Sequence, residues 1–156
     1  MTSNEFPVLR LCKTLCAILK NHSIRIIMID NRTQEILKLF QSSWIETKAR
    51  FIDLLLNHNF EARFTQPFID FIDQMIENGE DKFFRAGTFM HDLSISRSVS
   101  PRLRNDQKYI RIEICEDDFI VALNEGKKEY RSYRIKTFQD EKFINLLETL
   151  KHTLVD

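Results

Sequence analysis

Glycine is scarce in this chain. Gly79, Gly87 and Gly126 are the only three in 156 residues, and none lies in a clustered pattern. Phosphate-cradling loops and nucleophile turns need glycine where the backbone meets a ligand or takes a positive φ, so both are excluded. Proline is as rare, with three residues, and no Pro- or Gly-rich linker divides the chain. The three cysteines, Cys12, Cys16 and Cys115, cannot all pair with one another and sit inside apolar periodic segments. That usage predicts a reducing, cytoplasmic setting rather than a disulfide framework. No apolar run reaches the roughly 18–20 residues that span a bilayer, and the first residues lack the basic start and apolar middle of a signal peptide. A membrane partner is therefore not expected. An excess of charge is missing too: 23 basic residues balance 23 acidic ones. No global field draws the chain to a polyanion, and such a partner would have to meet a local patch.

What is present is apolar and aromatic. Hydrophobic residues make up 43% of the chain, 13 of them phenylalanine. This is a globular composition, and its length suits one domain. The first half carries helical periodicity. Val8, Leu11, Cys12, Leu15, Ile18 and Leu19 recur at steps of three and four behind Pro7, and the short run 24–29 fits either strand or helix. Ile36, Leu37, Phe40, Trp44, Phe51 and Leu55 continue a helical stripe, and Ser43 with Glu46 forms a capping-box pattern that favours two helices over one. A further helix is marked by Thr65 as cap, Pro67 in its first turn, the stripe Phe68, Ile69, Ile72, Met75 and Ile76, and the stop Asn78-Gly79.

After Gly87 the apolar period falls from about 3.6 to 2, which marks sheet. Phe89, His91, Leu93 and Ile95 alternate with polar residues, as do Ile110, Ile112 and Ile114, then Phe119, Val121 and Leu123. The residues 124–127 form a hairpin loop into a fourth strand near 129–136. A last helix near Gln139, with Thr137 as cap, carries Phe143, Leu146, Leu147, Leu150 and Leu154 on one stripe. The expected fold is α+β: a helical N-terminal half, about 5–85, then a three- or four-stranded antiparallel β-meander and a C-terminal helix packed on the sheet, about 88–156.

Candidate chemistry is sparse. His91 beside Asp92 would suit a small hydrolase or nuclease, but neighbours on a strand point to opposite faces, so the carboxylate would not orient the imidazole. Cys12, Cys16 and His22 lack the second ligand pair of a structural zinc site, and neither metal nor cofactor is expected. Arg97, Arg102, Arg104, Lys108 and Arg111, with Tyr109 among them, form the densest basic cluster. A polar loop of arginines feeding a strand suits RNA or DNA phosphates, and Lys127, Lys128, Arg131 and Arg134 would extend it if their strand lay near the loop. Asp70, Asp73 and Glu77 line one helix face, and Asp117 and Asp118 an acidic turn. Such surfaces suit docking on a basic protein. The leading expectation is a non-catalytic protein-binding domain, in concrete form an immunity or antitoxin protein that covers a toxin enzyme's active site. Nucleic-acid binding ranks second, and a homodimer is compatible with either.

Overall fold

The computed structural model describes residues 30–57 and 61–155. The expected helix behind Pro7, the run 24–29, and Cys12, Cys16 and His22 lie outside them. Arg32–Asp156 groups as one compact unit. Its elements are helix α1 (Asn31–Asn57), helix α2 (Ala62–Glu77), a 3-10 turn (Glu80–Lys82), strands β1 (Arg85–Phe89), β2 (Asp92–Ser96), β3 (Lys108–Cys115), β4 (Asp118–Glu125) and β5 (Lys128–Ile135), and helix α3 (Glu141–Lys151).

The fold is α+β, with a five-stranded sheet in the order β1-β2-β3-β4-β5 and every neighbouring pair antiparallel. One strand more is present than the periodicity predicts. The stretch 89–95 is not one strand but the end of β1, a two-residue turn at Met90 and His91, and most of β2. Phe89 pairs with Asp92 and Thr88 with Leu93, so the turn inverts the inward and outward parity and leaves Phe89 exposed on the face opposite the buried Leu93. The every-second-residue spacing of Phe89, Leu93 and Ile95 runs straight through the turn, so the pattern alone does not reveal the reversal.

Leu93, Ile95, Ile110, Ile112, Val121, Leu123 and Ile135 point to one face of the sheet, and all are buried. The helices cover that face. From α2 come Phe68, Ile69, Phe71, Ile72 and Met75, and from α3 Phe143, Leu146 and Leu150. Phe138 packs its ring 4.1 Å from Phe71 and 4.3 Å from Phe119, joining α2 to the sheet where β5 turns into α3. Each such aromatic removes enough apolar surface from water to contribute roughly 2–3 kcal/mol.

Helix α1 runs unbroken through Ser42 and Ser43, contrary to the capping-box reading. The Ser43 hydroxyl is buried, donates to the Phe40 carbonyl and accepts the backbone N–H of Ala86 at 3.0 Å. Trp44, fully buried, donates its indole N–H to the Phe84 carbonyl at 2.7 Å. α1 thus satisfies backbone groups at and beside the edge strand β1 that a bare edge would leave open for another chain. The N-terminal caps also differ from expectation. α2 begins a turn before Thr65, with Glu61 as N-cap, and α3 is capped by Asp140, whose carboxylate accepts the Lys142 N–H at 2.9 Å. Gly79, at φ 73°, stops α2 as expected, whereas Leu154 lies beyond α3 and is exposed.

Candidate functional site

The meander has two unlike ends. At one, β1 meets β2 and β3 meets β4 through two-residue turns, Met90-His91 and Glu116-Asp117. At the other, the segment 97–107 joins β2 to β3, and Gly126-Lys127 joins β4 to β5. The first residue of each tight turn has positive φ: 57° at Met90, 60° at Glu116 and 57° at Gly126. Glycine takes this conformation at no steric cost, while a side chain adds about 1–2 kcal/mol. Glu116 uses its side chain, which pairs with Arg134 at 3.1 Å. Met90 does not pack: it is 78% exposed, and Phe89 beside it is 59% exposed.

Carboxylates lie to one side of this apolar tip, on β2, β3, β4 and the turn between β3 and β4. On the face away from the helices, Glu113 lies opposite Ile120, and Ile120 opposite Arg134. Arg111 reaches Glu113 at 2.8 Å and Asp92 at 3.5 Å, while Arg134 also holds Asp118 at 2.9 Å. With Glu116 and Asp117, five carboxylates meet two guanidiniums. Burial, then the charge of Glu113, holds the Asp92 carboxyl above its ordinary value despite Arg111 and His91. This end of the sheet is acidic with an apolar point.

The acidic positions singled out from the sequence divide in two. Asp117 and Asp118 belong to this tip. Asp70, Asp73 and Glu77 lie on the outer side of α2, where Asp73 accepts both contacts of Lys48 at 2.6 and 2.7 Å and Asp70 accepts the Gln66 amide at 2.8 Å. Asp73 therefore ties α2 to α1, and Glu77 is exposed on that helix face.

The basic cluster is not brought together as one surface. Arg97 donates to the carbonyls of Lys151 and Thr153 at the end of α3, the latter at 2.9 Å, and burial lowers its guanidinium below the usual value. Arg104 is held by Asp106 through two contacts, 2.6 and 3.0 Å, and Arg111 by the carboxylates named above. Tyr109 donates its hydroxyl to the Gly126 carbonyl at 3.2 Å. Arg102 and Lys108 are exposed. The segment 97–107, which carries the expected polar loop of arginines, is fastened near both ends: Arg85 grips the Val99 carbonyl, Ser98 is buried against Ser100, and the Gly126 N–H reaches the Gln107 carbonyl.

His91 stands exposed in the β1-β2 turn and lines a small recess of about 200 Å³ with Phe64, Phe68, Asp92 and Ile114. It is not a core histidine. Among the described residues, no group of three or more His, Cys, Asp or Glu is placed to hold a metal ion, and no helix is long and apolar enough to cross a membrane.

One feature escaped the sequence reading. Arg131 shares the helix-facing parity of β5 with Tyr133 and Ile135, and Lys142, Asn145, Thr149 and His152 follow at helical spacing along α3 and its cap. These residues line a groove of about 430 Å³ between β5 and α3. The signal was the polar stripe running beside the apolar one, which is ordinarily a solvated helix face. Comparison with protein-family models, curated proteins and solved structures found no match to this chain.

Proposed function

We propose that this protein is a non-catalytic binding domain that docks on another protein through the Met90 end of its sheet. The observation that supports this reading is Met90 itself. Its backbone holds a conformation that favours glycine, and its side chain stays in water beside Phe89. Neither feature stabilises the domain, and such outliers concentrate at working surfaces. Phe89 and Met90 supply the apolar anchor of an interface, and Asp92, Glu113, Glu116, Asp117 and Asp118 its acidic rim.

The partner this chemistry fits carries an apolar recess ringed by cations. The cleft of an enzyme that cleaves nucleic acid is such a surface, and occupying it would neutralise a toxin of that kind in the manner of an immunity protein or antitoxin. Complementary charge would speed association and oppose wrong partners. Asp70, Asp73 and Glu77 lie on the outer face of α2, outside this rim, and take no part in the reading.

The test is affinity capture of the tagged chain from its native cells at moderate salt, followed by titration of the purified partner against wild type and a Phe89→Ser/Met90→Ser variant. Both substitutions are at exposed positions, and an unchanged thermal transition would show that the variant folds. The expected result is a stoichiometric protein partner and an affinity lowered about a hundredfold, as two apolar anchors of about 1–2 kcal/mol each would give. Equal affinity of wild type and variant would overturn the assignment of this surface.

A further inference from the structure

The groove between β5 and α3 lies on the helix-covered side of the sheet and extends toward the end remote from Met90. From its residues we infer a second binding site, one for a phosphoryl group.

Its arginine differs from the other three arginines of the sheet. Arg85 is held by the Val99 carbonyl, Arg111 by Asp92 and Glu113, and Arg134 by Glu116 and Asp118. Arg131 has no such partner among the described residues. Lys142 meets only the face of Tyr133, 5.8 Å from the ring centroid, and has no carboxylate within ion-pair distance. Glu148 is the one carboxylate lining the groove, and it is bridged by Lys151 at 3.0 Å. A guanidinium and an ammonium therefore face an open cleft of about 430 Å³ without a counter-charge of their own.

The polar groups around them include further donors. The Asn145 amide, the Tyr133 hydroxyl and the His152 ring line the same cleft, while the Thr149 hydroxyl is occupied in donating to the Asn145 carbonyl at 2.7 Å. An arginine fork, an ammonium and several neutral donors form the set that binds phosphate oxygens. One physical objection is the helix end. The C-terminus of α3 would repel an anion through its unpaired carbonyls. Here Arg97 donates to the carbonyls of Lys151 and Thr153, and the Leu150 carbonyl accepts from the Thr153 hydroxyl at 2.7 Å. The negative end of the dipole is thereby compensated. His152 also lines an adjoining recess of about 330 Å³ with Lys108 and Asp106, whose carboxylate is paired with Arg104, and this recess would accept the continuation of an elongated ligand.

The phosphoryl group could belong to a small phosphate ester or to a nucleic-acid backbone, and the same titration separates them. The full chain, labelled with nitrogen-15, is titrated with pyrophosphate and with a single-stranded oligothymidylate while amide shifts are followed. Saturable shifts confined to Arg131, Asn145, Thr149 and His152 are expected with at least one probe. An Arg131→Gln/Lys142→Gln variant, both positions being exposed, should keep the remaining spectrum and bind at least about tenfold more weakly. Tighter binding of the oligonucleotide, falling steeply with salt, identifies a nucleic-acid backbone as the source; equal or tighter binding of pyrophosphate identifies a small ester. Absence of saturable shifts at millimolar concentrations of both probes, or binding unchanged in the variant, would overturn the site. Neither result depends on a protein partner at Met90.

Discussion

The two ends of the sheet solve the same geometric problem with opposite residues. Each tight hairpin needs one residue at positive φ. The β4-β5 turn uses Gly126, and there the backbone of Asn105 comes so close that an added Cβ would lie 1.9 Å from its carbonyl oxygen. The β1-β2 turn uses Met90, whose side chain extends into water. At the first end the special backbone serves packing, because the segment 97–107 is fastened against it. At the second it serves nothing inside the domain. A strained turn that returns no internal contact is the stronger sign of an outward role, and the sheet is acidic beside it where the groove between β5 and α3 is basic.

Substitutions at these two turns should separate packing from exposure. Gly126→Ala should have the largest effect, since it adds both left-handed strain and a clash with Asn105. A loss of about 3 kcal/mol is expected, a fall of roughly 6–12 °C in the thermal transition. A fall of less than a couple of degrees would show that the segment 97–107 yields freely and that the two ends do not differ as described. Met90→Gly should have the opposite sign and a smaller size. Relief of strain, partly offset by the entropy of glycine in the unfolded chain, should raise stability by about 0.5–1 kcal/mol in a denaturant melt. Destabilisation by the same amount would mean that Met90 makes contacts the domain relies on.

The smallest effect belongs to the acidic rim. The Asp92 carboxyl binds its proton more tightly in the folded chain than in the unfolded one, so its ionisation opposes folding. That penalty is absent below the carboxylate range of the unfolded chain, grows as pH rises through the raised folded value, and is constant above it. Asp92→Asn should therefore be more stable than wild type at pH 7 by a few tenths of a kcal/mol, the charge being half-buried and screened, with the gap closing below about pH 4. A gap that widens on acidification would show that the Arg111 pair, not burial, dominates at Asp92.

Local pattern carried most of the architecture. The stripe Phe68, Ile69, Ile72 and Met75, the Asn78-Gly79 stop and the alternation of Ile110, Ile112 and Ile114 each depend on residues within a few positions of one another. They were legible as helix, stop and strand, and so was the α+β class. Gly126 likewise announced its hairpin. The Met90 turn had no glycine, asparagine or aspartate to announce it, and Phe89, His91 and Leu93 keep their every-second-residue spacing straight through it although Phe89 and Leu93 lie on opposite faces.

The candidate sites were legible only in part. Glu116, Asp117 and Asp118 stood out together in the sequence, but Asp92 and Glu113 joined them only through strand register. Arg97 and Arg131 are both arginines in polar surroundings along the chain. The structure sends one to the end of α3 and leaves the other facing a groove. Sequence alone therefore determined the α+β class and, for α2, β3, β4 and α3, the apolar side, because those properties repeat at the spacing of the backbone itself. Tertiary structure alone decided which charges are neutralised and which stand free, because an ion pair or a groove depends on the distance between segments that the chain places tens of residues apart.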